Sequence, residues 1–171
     1  MYTEDEVIEL LKALPPECEF IDYKQTGYKK DKQGYFIKDV ISMLNAYTAY
    51  GRNRFIIIGV DDNRELVGIS EEEIRDDNEY RNWINKISPK PIVNTGQIKY
   101  GNKVFEIICI NKENDGQIYE LVQGVNIQPI HEGQTFYRQG SQNAVLTEEV
   151  RRKIRSSYFD ESKYREKLVE L

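Results

Sequence analysis

Phe55-Ile56-Ile57-Ile58-Gly59-Val60, closed by Asp61-Asp62, is the stretch that decides the fold. A continuous run rich in β-branched side chains, without polar alternation, predicts a central strand buried on both faces. Such a strand needs covering layers, and the flanking sequence supplies them. Ile37, Val40, Ile41 and Leu44 recur at helical spacing and predict a helix from Tyr35 to Tyr47. Before it, Glu19 to Gln25 reads as a strand and Tyr28 to Gly34 as a lysine-rich loop.

The pattern continues in both directions. Thr3 and Glu6 form a capping box ahead of the apolar stripe Val7, Leu10, Leu11 and Leu14, and Pro15-Pro16 ends that helix. Downstream, the turn Asp62-Asn63-Arg64 leads into Glu65 to Ile69. Ser70 and Glu73 form a second capping box, predicting a helix that carries Ile74, Trp83, Ile84 and Ile87 and stops at Pro89 and Pro91. Val93 to Tyr100 and Lys103 to Ile110 flank Gly101-Asn102, which suits a tight hairpin. Asn114-Asp115-Gly116 predicts another turn, and Gln117 to Val122 and Thr135 to Gln139 predict strands. Thr147, with Glu148 and Glu149 in the first turn, caps a further helix, and Asp160 caps a last one to Leu171. Helices alternate with strands early and hairpins dominate late. The expected class is α+β, a mixed β-sheet with packed helices. One domain is expected over 1–156, followed by a charged C-terminal helix over 157–171 that is an extension or the start of a further region.

The chain has 171 residues, 39% hydrophobic and 31% charged, enough for one domain with a core. No apolar run approaches the roughly 18 residues of a membrane span. The acidic N-terminus lacks an apolar stretch of signal-peptide type, so a cytoplasmic protein is expected. Two cysteines do not make a disulfide scaffold, and one histidine without Cys-x-x-Cys argues against zinc. Cys109, within Phe105-Glu106-Ile107-Ile108-Cys109-Ile110, is expected to be a buried thiol. Neither a P-loop nor Gly-x-Gly-x-x-Gly occurs, so no nucleotide cofactor is expected. Ser141 lies in no nucleophile elbow, and His131 is its one possible histidine base.

The net charge of −5 opposes strong non-specific nucleic-acid binding but allows a local basic face. Lys24, Lys29, Lys30, Lys32 and Lys38 fall close together, interleaved with Tyr23, Tyr28 and Tyr35. They form either a phosphate-binding face or a solvated loop. Arg138 is either a phosphate contact or a surface arginine on a strand. Among the acids, Glu17, Asp22 and Asp61 could hold Mg²⁺ or Mn²⁺ against a phosphodiester, provided Glu17 sits in the loop after Pro16. Lys24 shares a strand face with Asp22 and could offset developing phosphate charge. The alternative is that these carboxylates are solvated, with Asp61-Asp62-Asn63 as ordinary turn chemistry.

Together these residues resemble the Schlafen-type AlbA-like domain. The resemblance rests on Glu17, Asp22-Tyr23-Lys24, Leu44-Asn45-Ala46, Ile56-Ile57-Ile58-Gly59-Val60-Asp61 and Val67-Gly68-Ile69. Later matches are Ile87-Ser88-Pro89, Phe136-Tyr137-Arg138-Gln139-Gly140-Ser141 and Thr147-Glu148-Glu149. The chain departs from the pattern where Asp22 replaces a glutamate and Tyr50-Gly51-Arg52-Asn53 replaces Gly-Gly. The resemblance implies a nucleic-acid-facing domain, RNA ahead of DNA, and for some members a metal-dependent endoribonuclease acting on structured RNA such as tRNA. By position the acidic metal set would be Glu17, Asp22 and Asp61, with Lys24 beside them and Asp62 as an alternate third ligand. Lys29, Lys30, Lys32 and Arg138 would position the backbone. The competing expectations are a non-catalytic binding or sensing module of a defence or regulatory protein, and a protein-interaction domain. The latter would form a homo-oligomer or engage a partner through the C-terminal helix. No membrane partner is expected.

Overall fold

The structure, a computed structural model, describes residues 1–48, 52–111 and 116–156. The run that decides the fold becomes β2 (Arg54–Ile58), lying between β1 (Ile21–Lys24) and β5 (Lys103–Asn111). With β4 (Ile92–Tyr100) at the far edge, the sheet order is β1-β2-β5-β4. β1 and β2 run parallel, and the other two pairings are antiparallel, so the sheet is mixed and the fold is α+β.

Every residue of β2 is buried, because its two faces meet different layers. Phe55 and Ile57 pack with Ile21, Tyr23, Phe105 and Ile107 against Val7 and Leu11 of α1 (Glu4–Ala13). Ile56 and Ile58 pack with Ile108 and Ile110 against α2 (Gln33–Leu44) and α3 (Asp77–Ile84). Strand parity therefore sorts β1 as well: Ile21 and Tyr23 point towards α1, and Asp22 and Lys24 towards α2. Thr3 caps α1 by accepting from the Glu6 N–H, and Leu14 ends the helix in the left-handed region. The β4–β5 turn places Gly101 and Asn102 both at positive φ, 56° and 61°, as a type I′ hairpin requires. Cys109 is fully buried, and burial pushes its thiol up to about 12.

Several expectations are corrected. The Ser70–Glu73 capping box forms, but it closes a single 3-10 turn (Glu71–Glu73). The helix begins afresh at Asp77, where the Asp76 carboxylate accepts from the Asn78 N–H. The stretch from Glu65 to Ile69, for which no element was assigned, carries isolated bridges, Val60 with Leu66 and Ile69 with Val104. Gln117 to Val122 shrinks to β6 (Glu120–Leu121), paired with β3 (Ile87–Ser88). β7 (Phe136–Gln139) forms where a strand was expected and pairs with β8 (Gln142–Val145), which was not foreseen. Residues 148–156 are helical behind Thr147, whose hydroxyl accepts from the Val150 N–H. The 114–116 turn lies largely, and the helix after Asp160 wholly, outside the described residues. Among the described residues, no helix is long and apolar enough to cross a membrane.

Candidate functional site

Two depressions flank β1, and they separate the expected site residues into two groups. On the α2 side lies a network of charged groups beneath a groove. Asp22 is 4% exposed, and its Oδ1 accepts from Arg138 Nη2 at 2.7 Å. Its Oδ2 forms an ion pair with Lys24 Nζ at 3.1 Å, without hydrogen-bond alignment. Lys24 Nζ also lies 3.4 Å from Asp39 Oδ2, which the Tyr28 hydroxyl donates to as well. Asn143 Nδ2 donates to Asp39 Oδ1 at 2.7 Å. Two buried carboxylates are thus matched by two cations, which is what low-dielectric burial demands. Burial works to lower the Lys24 pKa, but Asp39 and Asp22 outweigh it and hold the ammonium above its ordinary value. Burial, reinforced by Asp39, pushes the Tyr28 phenol well up, so its hydroxyl stays a donor.

Above this network opens a groove of about 530 Å³, lined by Lys24, Tyr28, Lys29, Lys32, Tyr35 and Asp39, with Thr26 and Gly27. Lys29 and Lys32 are exposed at its rim. Tyr35, in the first turn of α2, is 47% exposed, with Lys32 Nζ 5.0 Å from its ring centroid. Lys30 is exposed nearby, 3.8 Å from Glu79.

The second depression, about 350 Å³, is lined by Pro16, Glu17, Tyr23, Asp61, Asp62, Arg64 and Ser141. Glu17 does sit in the loop after Pro16, and its Oε1 accepts from the Tyr23 N–H at 3.0 Å. Asp61 Oδ1 accepts from the Asn63 and Glu65 N–H groups at 3.0 and 2.8 Å, forming an Asx-type turn. Burial, only partly opposed by Arg64, pushes the Tyr23 phenol up.

The structure therefore brings Glu17, Asp61 and Asp62 to one cleft and Lys24, Lys29 and Lys32 to another groove, and it does not gather the expected metal set. Among the described residues, no group of three His, Cys, Asp or Glu side chains is placed to share a metal ion. Asp22 points to the opposite face of β1 and is already paired with Arg138 and Lys24. A divalent ion shared by Glu17, Asp22 and Asp61 does not fit this arrangement. Arg138 is corrected too. It is neither a phosphate contact nor a surface arginine: at 4% exposure it is held by Asp22, by the Cys18 carbonyl at 3.2 Å and by Asn143 Oδ1 at 3.1 Å.

Asp39 and Asn143 escaped the sequence reading. Asp39 carried one signal, a carboxylate among the closely spaced apolar positions of a helix. Asn143 carried none, because β8 was not foreseen.

A family model for the Schlafen AlbA_2 domain matches residues 17–147. The chain belongs to the Schlafen AlbA_2 family. The family motifs now acquire structural roles in this chain. Asn45 is fully buried; its Nδ2 donates to the Tyr119 and Phe136 carbonyls, and its Oδ1 accepts from the Tyr119 N–H, all at 2.8 Å. Gly59 has φ 119°, and a Cβ there would meet the Phe105 ring at 2.7 Å. Its carbonyl accepts from the N–H groups of Val67 and Gly68, which joins two motifs in one turn. The Asp22–Arg138 pair joins the first motif to the late one. Among solved structures, the DIP2311 protein from Corynebacterium diphtheriae is similar over 83% of this chain and 29% of its own, at 13% identity and TM-score 0.52. The chain thus spans under a third of that protein's length. The N-terminal domain of an ATP-dependent DNA helicase RecG-related protein from Nitrosomonas europaea is similar over 86% of this chain and 97% of its own. Its identity is 16% and its TM-score 0.46. No curated protein matches the chain.

Proposed function

We propose that this Schlafen AlbA_2 domain binds nucleic acid, RNA ahead of DNA, through the groove rimmed by Lys29 and Lys32. The observation that carries this reading is the charge balance around the groove. Asp22 and Asp39 are offset by Arg138 and Lys24, so the exposed charges of Lys29 and Lys32 stand over a neutral base, while Lys30 nearby is paired with Glu79. Lysines of that kind take phosphate oxygens, and an exposed tyrosine beside them offers a surface to a base. An acidic protein of net charge −5 can then bind a polyanion at one place while being repelled elsewhere.

The test is fluorescence anisotropy with total tRNA across a salt series. Binding is expected to weaken steeply with salt. Lys29→Ala/Lys32→Ala is expected to reduce the slope of log K against log salt by about 1.4 to 1.8, two contacts' worth. Binding unchanged in the double variant would refute the reading.

A second reading, metal-dependent endoribonuclease activity, is favoured by one observation: Glu17, Asp61 and Asp62 line a single cleft with Arg64. Since the three are not placed to share one ion, the metal would be held there by one or two of these carboxylates and completed by water. It does without Asp22. Incubation of tRNA with the protein in Mn²⁺ or EDTA, beside Glu17→Gln, tests it. Glutamine keeps an oxygen for the Tyr23 N–H, so loss of metal-dependent cutting in that variant would not stem from misfolding. Absence of cutting by the unaltered protein would refute this reading and leave the binding reading in place.

A further inference from the structure

The groove has a shape as well as a charge, and the shape points to one class of ligand. Its cations lie at two depths. Lys29 and Lys32 are exposed at the rim, whereas Lys24 is recessed at the base, its side chain 35% exposed and its ammonium drawn inwards by Asp22 and Asp39. A smooth duplex presents its phosphates on a convex surface, which suits the rim but does not reach the base. A group that protrudes from the strand does reach it. The opening of about 530 Å³ lies within the range, roughly 300–1,000 Å³, of small-ligand clefts.

Tyr35 supplies the second element. It stands in the wall of the same groove, about half exposed, at the start of α2, so its backbone is held by the helix. Its ring partner is the ammonium of Lys32, an exposed and flexible side chain that can move to a phosphate as a base stacks. The buried wall is fixed. The Tyr28 ring packs edge-on against Phe36, centroids 5.2 Å apart, and its hydroxyl is bound to Asp39. An aromatic platform, rim cations and a recessed donor make up the set that recognises splayed bases in single-stranded and loop regions.

We infer that the groove between β1 and α2 takes an unpaired nucleotide, its base stacked on Tyr35, its phosphate on Lys29 and Lys32, and its polar edge facing Lys24. This rests on the binding reading above and specifies the form of RNA that the site accepts.

The experiment compares two labelled RNAs by anisotropy at fixed salt: a hairpin with a seven-nucleotide loop, and its stem as a blunt duplex. Unaltered protein is expected to bind the hairpin about tenfold more tightly, the order of one base–aromatic stack. Tyr35→Ala is expected to remove that advantage, Tyr35→Phe to keep it, and Tyr35→Ala to leave the salt slope unchanged. Thermal melts of both variants check that the exposed position leaves the fold intact. Equal binding of the two RNAs by the unaltered protein overturns this inference and spares the binding reading. So does an equal loss on both RNAs in Tyr35→Ala. Failure to bind either RNA overturns both.

Discussion

The two sides of β1 use the same residue types to opposite ends. On the α2 side, Asp22 and Asp39 are buried and bound to Arg138, Lys24, Tyr28 and Asn143. At the other, Glu17 and Asp61 take backbone N–H groups at the margin of an open cleft and keep contact with water. The difference shows that a carboxylate's residue type does not assign its role; strand parity and burial do. Adjacent positions on a strand face opposite ways, so the Asp22-Tyr23 pair sends its carboxylate into one layer and its phenol into the other.

The largest effect should come from breaking the buried side. Arg138→Met leaves Asp22 with Lys24 as its remaining counter-charge and is expected to cost about 3–5 kcal/mol. Urea denaturation measures it, with Asp62→Ala, at an exposed position, expected to stay within about 0.5 kcal/mol. If the two variants are equally stable, the contrast between the sides fails. Next, Asn143→Ala removes a donor from Asp39 and is expected to cost roughly 1–3 kcal/mol in the same assay.

For RNA, the contrast sharpens in the other direction. Asp61→Asn/Asp62→Asn should leave the dissociation constant within about threefold, because those acids lie on the far side of the strand from the groove and are screened. A larger change would move the binding surface to the cleft. The smallest effect concerns pH. The Lys24 pKa is raised in the folded state, since Asp39 and Asp22 outweigh burial, so its contribution is complete below the ordinary value of 10.5. It is lost as pH rises through the folded value. As pH rises above about 10.5, the urea midpoint should therefore fall more steeply in the unaltered protein than in Lys24→Met. Comparing the two cancels the tyrosines that titrate in the same window.

Much of the fold was legible because its signals are local. The β-branched run of β2, the Thr3 cap of α1 and the Gly101-Asn102 turn each act within a few residues. Local signals also misled. The Ser70–Glu73 box formed as written, yet Asp76 starts a new cap before the apolar face of α3 can continue it. The candidate site was half legible. The Lys29 and Lys32 rim and the position of Glu17 after Pro16 follow from adjacency in the chain.

The sequence by itself determined the α+β class, the buried central strand and the family, because hydrophobic periodicity, caps and turns are written in neighbouring residues. Only the tertiary structure decided which charges are available. Asp22 and Arg138 stand 116 positions apart, and Asp39 and Asn143 stand 104 apart. A buried carboxylate requires a counter-charge or a donor, and folding brings those partners from distant segments. That pairing removes Asp22 and Arg138 from the surface and leaves Lys29, Lys32 and Tyr35 facing solvent.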